Sequence, residues 1–253
     1  MRKILIIGIG AGDPDYMTVQ AINALNRADV FFIPDKGAEK GRLLQHRLAI
    51  CDRYLKPGAH RFVTFRTPER AKDFTDYKSN VADWHAAIEE AYERMFADEL
   101  SEAQCGAFLV WGDPTLYDST LRIVEKIHAK GAIAFDYEII PGVSSVQALA
   151  AKHKIALNRI GESVHITTGR KLAEKFPDDA DSLVVLLDGE QTFASIEAGE
   201  MDIYWGADIG APGEALARGR LADVRDDIKA LRERLRRDNG WVMDVYLLRK
   251  PRR

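Results

Sequence analysis

Two Gly-Asp-Pro triplets stand in this chain, Gly12-Asp13-Pro14 and Gly112-Asp113-Pro114, each just after a buried-looking apolar strand. A third loop of small residues, Pro141-Gly142-Val143-Ser144-Ser145, follows another such run. The first loop begins Gly8-Ile9-Gly10-Ala11-Gly12, close to a dinucleotide fingerprint, but the position of the third glycine holds Asp13. That glycine normally allows close helix–strand packing. A carboxylate at a helix start repels a pyrophosphate and serves instead as an N-cap, or as an acceptor for ligand hydroxyl or ammonium groups. Capping alone is the plain alternative for Asp13-Pro14. Two such loops with the hydroxyls of Ser144 and Ser145 suit a small zwitterionic ligand better than a polyphosphate, and no Walker motif occurs. The six histidines form no metal-binding spacing such as HExxH, so no metal site is expected.

Those loops need elements to hold them. Residues 3–9 read as a buried parallel strand, 15–28 as a helix, and 30–33 as a second strand closed by Pro34. This βαβ opening implies a parallel sheet. A helix over 79–99 would put Val81, Trp84, Ile88, Tyr92 and Met95 on one face; Trp84 as core with His85 as its solvated neighbour is the favoured reading, and ligand contact by the two is the alternative. Strands are expected at 106–111, 135–140, 164–168, 183–187, 203–205 and 242–249, and helices at 40–51, 118–129, 143–153 and 221–237. The alternation places the chain in the α/β class. The basic stretches 232–237 and 249–253 read as a solvated helix face and a loose end.

Composition narrows the function classes. Lys+Arg total 36 and Asp+Glu 39, a net charge of −3, which argues against a nucleic-acid-binding protein. No apolar run has the length of a membrane span, and glycines interrupt the N-terminal run where a signal peptide would need continuity. Two cysteines, Cys51 and Cys105, make no disulfide framework, so a reducing cytoplasmic setting is expected.

GIGAGDPDYMT, WGDPTLY and PGVSS, in this order, resemble the tetrapyrrole (corrin/porphyrin) methylases that use S-adenosylmethionine. Weaker matches reach 184–189 and 210–221, so the resemblance spans essentially the whole chain. The longer strings GIGAGDPDYMTVQAI and WGDPTLYDSTLRI look most like the deacetylating branch of the family in cobalamin biosynthesis. The resemblance implies methylation of precorrin-5 at ring carbon C1 with release of acetate. It also implies the class III methyltransferase arrangement: two α/β domains, taken here as 1–140 and 141–253, with a cofactor cleft between them, in a homodimer. Another member of the family, acting at a different ring carbon, is the alternative. A nicotinamide oxidoreductase and a non-catalytic tetrapyrrole carrier are more distant readings.

Carried over position by position, the resemblance puts Trp111, Gly112, Asp113, Leu116, Ser144, Ser145, Leu187, Asp188 and Ala211 around S-adenosylmethionine and its product S-adenosylhomocysteine. Gly10, Ala11, Gly12 and Asp13 fall on the tetrapyrrole side. Two positions depart from the family: Ala11 where many relatives have Pro, and Asp188 where many have an apolar residue beside the adenosyl group, so that its side chain either contacts the cofactor or turns away. Loss of an acetyl group needs water to attack a carbonyl, which a base would assist. Asp35, at the end of the second strand, is the candidate, with a simple turn at 34–37 as the alternative. Arg42, Arg47, Arg66 and Arg170 are candidates for the substrate's carboxylates, though any one of them could be an ordinary surface residue.

Overall fold

A computed structural model describes residues 1–35, 41–66, 77–177, 180–196 and 200–251. The chain divides into two compact units, one of residues 1–10 and 14–143, the other of 11–13 and 144–253.

The first unit holds β1 (Arg2–Gly8), α1 (Val19–Leu25), β2 (Val30–Asp35), α2 (Gly41–Tyr54), β3 (Arg61–Arg66), α3 (Tyr77–Glu99), β4 (Cys105–Val110), α4 (Thr120–Lys130) and β5 (Phe135–Ile140). All pairings in its sheet are parallel, in the order β3-β2-β4-β1-β5. β1 and β4 are buried on both faces, which is why they read as unbroken apolar runs. Leu5, Ile7, Phe31 and Leu109 pack under α1 and α2 on one face. Ile4, Ile6, Phe32 and Phe108 pack under α3 and α4 on the other. The chain steps from β1 one way to β2 and from β4 the opposite way to β5, so right-handed crossovers put these helices on opposite faces. The reversal falls between β1 and β4, the place where parallel sheets open a ligand crevice at their carboxyl edge.

The second unit holds α5 (Ser145–His153), β6 (Val164–Thr168), α6 (Gly169–Glu174), β7 (Ser182–Leu186), β8 (Asp202–Ala207), β9 (Ala215–Arg220), α7 (Leu221–Asn239) and β10 (Asp244–Arg249). Its sheet order is β6-β7-β10-β8-β9, parallel only between β6 and β7. β7 and β8 both oppose β10, so β6, β7 and β8 end at the same edge where β10 begins. Leu172, Val185, Trp205, Ile228 and Tyr246 form the core that α6 and α7 cover.

Several expectations need correction. The helix after the first loop begins at Val19, not at 15, because the Thr18 hydroxyl accepts the Ala21 N–H and caps it. β2 continues through Pro34 to Asp35, which a neighbouring parallel strand on one side permits. Edge strands β3 and β9 bury no residue fully and carry Arg at alternate or terminal positions, and α6 is only six residues long, so none forms the unbroken apolar run of a central strand. Arg232 and Arg249 are buried, not solvated. Trp84 packs against the first unit's core as expected, while the side chain of Val81 and residues 36–37 and 252–253 lie outside the description.

Candidate active site

At the carboxyl edge of the first sheet, three loops leave the adjacent strands β4, β1 and β5. They meet backbone to backbone. Gly10 and Gly112 exchange N–H···O bonds of 3.3 and 2.8 Å, an isolated bridge across the switch point. A Cβ on Gly142 would lie 2.1 Å from the Gly112 carbonyl oxygen, and one on Gly8 would lie 2.6 Å from the Gly142 nitrogen. Only glycine permits that approach, because the obstructing atoms are backbone.

Asp113 ties two of these loops together. One carboxylate oxygen accepts the N–H of Thr115 at 2.8 Å and the Thr115 hydroxyl; the other accepts the Gly142 N–H at 2.9 Å. Burial pushes its carboxyl up, but these donors outweigh burial and hold it below the usual carboxylate range. Beside it, the Trp111 ring lies 4.6 Å from that of His46, centroid to centroid. Leu116 is half-buried in the same loop, followed by Tyr117 with φ +54°. Asp35 is exposed at the same edge, at the end of β2, with β4 standing between it and β1.

In the second unit, residues 11–13 lie against the loop that follows β8. A Cβ on Gly12 would fall 2.2 Å from the Ile209 oxygen and 2.9 Å from the Ala211 nitrogen. That loop is a closed turn: Ala211 N–H donates to the Asp208 carbonyl at 2.9 Å, and Asp208 exchanges bonds with Met243. Ser144 caps α5, accepting the Val146 N–H at 3.1 Å and donating to the Gln147 side-chain oxygen; Ser145 is the first helical residue.

Leu187 and Asp188 diverge although adjacent. Leu187 follows β7 with φ +54° and is 67% exposed, an apolar side chain held outward on a strained backbone. Asp188 turns inward. Its carboxylate accepts the Thr192 N–H at 2.7 Å, the Thr192 hydroxyl at 2.8 Å and the Tyr246 hydroxyl at 2.6 Å. Next to it, Arg232 donates to the Asp188 carbonyl at 3.4 Å and pairs with Asp244 at 2.9 Å, and Trp205 Nε1 donates to Asp244 at 3.1 Å.

The sheet edges thus gather Gly10, Trp111, Gly112, Asp113 and Leu116 in the first unit. They gather Ala11, Gly12, Leu187, Asp188 and Ala211 in the second. Sequence reasoning missed Thr192, Tyr246, Arg232 and Asp244, because a network drawn from separate elements has no local spacing to read. Arg42, Arg66 and Arg170 are exposed, whereas Arg47 is buried. Among the described residues, no three or more His, Cys, Asp or Glu cluster as a metal site, and no helix is long and apolar enough to cross a membrane.

Comparison with known proteins fits this geometry to a family. Over 250 residues, covering 99% of this chain and 96% of the relative, the chain is 54% identical to precorrin-6A synthase (deacetylating) from Sinorhizobium sp. It is 31% identical over 146 residues, 57% of this chain and 55% of the relative, to precorrin-2 C(20)-methyltransferase from the same source. The crystal structure of a protein from Corynebacterium diphtheriae described as cobalamin synthesis related (CobF) superposes with a TM-score of 0.83. The two are 37% identical, and the match covers 98% of each chain. The family model for tetrapyrrole (corrin/porphyrin) methylases matches residues 3–225. The chain belongs to the tetrapyrrole (corrin/porphyrin) methylases.

Proposed function

We infer that this protein is an S-adenosylmethionine-dependent C-methyltransferase of cobalamin biosynthesis that converts precorrin-5 to precorrin-6A, methylating C1 and releasing acetate. The observation that carries the reading is the 54% identity sustained over 99% of this chain and 96% of the relative. The 31% match to a C20 methylase covers little more than half of either chain, so it supports the family but not that ring position.

Trp111, Gly112, Asp113, Leu116, Ser144, Ser145, Leu187, Asp188 and Ala211 would hold the methyl donor, and Gly10–Asp13 would face the tetrapyrrole. The donor set fits a sulfonium compound. It contains no cationic side chain to repel the sulfonium, and its two carboxylates are held in place by N–H and O–H donors. S-adenosylmethionine supplies a methyl group already activated by the sulfonium charge. The chain's own task is orientation, which glycine-packed loops serve because they leave little to reorganise.

Deacetylation asks for more. Asp35 would take a proton from the water that attacks the acetyl carbonyl; the bond between the ring carbon and the acetyl carbon then breaks, its electron pair passing into the conjugated ring, and acetate leaves. The Asp35→Asn variant should keep donor affinity and slow acetate release at least tenfold; unchanged turnover would remove the role. A homodimer and a cytoplasmic setting are supported by the family resemblance.

The direct test is calorimetric titration with S-adenosylmethionine and S-adenosylhomocysteine, with NADH as control, followed by precorrin-5 turnover with acetate detection. Binding of the sulfonium pair, then methylation with equimolar acetate, is the expected result. Methylation without acetate would instead place the protein with a relative acting at another ring carbon.

A further inference from the structure

Arg47 is buried in an unusual place, with only 6% of its surface exposed. β2 and β4 pair only as far as Phe32 and Phe108, yet β2 stays paired with β3 to Asp35, and β4 with β1 to Val110. The two strands therefore fork at the carboxyl edge, along the stretch where β2 carries Pro34, which has no N–H to give. The Val110 carbonyl accepts from Ile9 on the β1 side, so the carbonyl of Leu109 points the other way, into the fork. Arg47 reaches in from α2 and fills that vacancy, its Nε donating to the Leu109 oxygen at 3.0 Å and its Nη1 to the Leu43 oxygen at 3.2 Å.

These bonds explain Nε and half of Nη1. Among the described residues they leave Nη2 and the second Nη1 hydrogen without an acceptor, and no carboxylate in ion-pair contact. Arg232, equally buried, has Asp244 at 2.9 Å, and Arg249 spends its Nε and Nη2 on Ser182, Ala156 and Leu157. Burial opposes the charge on Arg47, and Asp118 and Tyr92 are the groups whose fields favour it. Asp118 is engaged elsewhere, one oxygen accepting the Thr120 N–H at 2.7 Å. A largely buried guanidinium whose remaining Nη hydrogens have no acceptor among the described residues is matched to a carboxylate, which brings two acceptor oxygens and the opposite charge.

The geometry points to Arg47 as a carboxylate-binding residue in the β2–β4 fork, on the edge that carries Asp35 and the Asp113 loop. Its guest would be a carboxylate arm of the tetrapyrrole or the acetate set free in the reaction. Only the guest's identity rests on the methyltransferase reading; the anion site itself does not. Arg42, Arg66 and Arg170 are exposed and form no such buried site.

Protein labelled with ¹⁵N-arginine tests this. The Arg47 Nε–H resonance, assigned by its loss in Arg47→Lys, is followed during titration with sodium acetate and, separately, with uroporphyrin as a stable polycarboxylate tetrapyrrole. A saturable shift with acetate alone assigns the site to the leaving group; a shift with uroporphyrin assigns it to a substrate arm. In the second case Arg47→Gln should bind uroporphyrin at least tenfold more weakly, with S-adenosylmethionine affinity unchanged. A resonance unmoved by either anion overturns the inference, as does Arg47→Gln that binds both ligands like the wild type. Should Arg47→Gln not fold, the wild-type titration decides alone. Failure of the wild type to bind S-adenosylmethionine would strike the functional reading and leave the anion test standing.

Discussion

The two sheet edges hold their loops by opposite means. In the first unit the loops touch through bare backbone: Gly8, Gly112 and Gly142 have no side chains to separate them, and a single carboxylate, Asp113, pins the contact. In the second unit the turn after β7 is held by a side-chain network, Asp188 to Thr192 and Tyr246, and Arg232 to Asp244 and Trp205. Parallel strands, buried on both faces, have little room for side-chain polar groups at their ends. A mixed sheet with a strand returning against its neighbours, β10, brings Asp244 and Tyr246 to the same edge as Asp188. The contrast predicts that the first edge is sensitive to added volume and the second to lost charge.

The largest effect should come from Arg232→Met. It leaves Asp244 buried and unpaired, and burial already pushes that carboxyl up against the opposing pull of Arg232. Breaking a buried pair on one side costs about 3–5 kcal/mol. The loss should appear as a lower urea midpoint, with hydrogen exchange rising first in β8 and β10. Replacing both partners with apolar residues, Arg232→Met with Asp244→Leu, should return most of that stability. If the double variant is no better than the single, the network is required for more than charge compensation.

Next comes Gly142→Ala. Its methyl would overlap the Gly112 oxygen, and overpacking against backbone costs on the order of 3 kcal/mol. A substitution this small that changed neither the urea midpoint nor donor affinity would break the comparison, since it would show that the first edge is as yielding as an ordinary loop. Gly189 is the matched control, because a Cβ there meets nothing within 4 Å.

The same division explains what the sequence could and could not disclose. The three glycine loops were legible because each is a contiguous string after a contiguous apolar strand, and their common edge follows from parallel topology. β3 and β9 were not, because an exposed edge strand such as ALARGR needs only alternate half-buried positions and its other residues can be polar. A turned-away Asp188 was legible only as one of two alternatives, because its partners Thr192 and Tyr246 lie on other elements and a left-handed Leu187 leaves no composition signal. Arg47 looked like three other arginines until the divergence of β2 from β4 set it apart.

Asp113→Asn gives a smaller, pH-dependent effect. The folded carboxyl lies below its unfolded value of about 3.9, so its contribution is complete above that pH and drains away as pH falls through the folded value. The variant should lose on the order of 1 kcal/mol near neutrality and show a flatter acid limb than the wild type. An unchanged acid limb would mean that the Gly142 and Thr115 bonds do not favour the charged form.

The smallest effect should be at His153, which lets the two edges be titrated separately. Its Nε2 lies 3.0 Å from the Trp205 carbonyl oxygen, and the residue is buried under β8. Burial lowers its pKa; the Trp205 carbonyl and Glu214 oppose that shift, while Arg218 adds to it. Here the unfolded state, with a pKa of about 6.5, takes up the proton first, so stability is full above that pH and declines as pH falls towards the folded value. Acid between these two limits should loosen the second unit before Asp113 begins to titrate in the first. Hydrogen exchange at mildly acidic pH should therefore rise in β8 and α5 while β1 and β4 stay protected, and His153→Gln should abolish that selective rise. Equal loosening of β1 and β4 would show that protonation is felt outside the unit that contains the histidine.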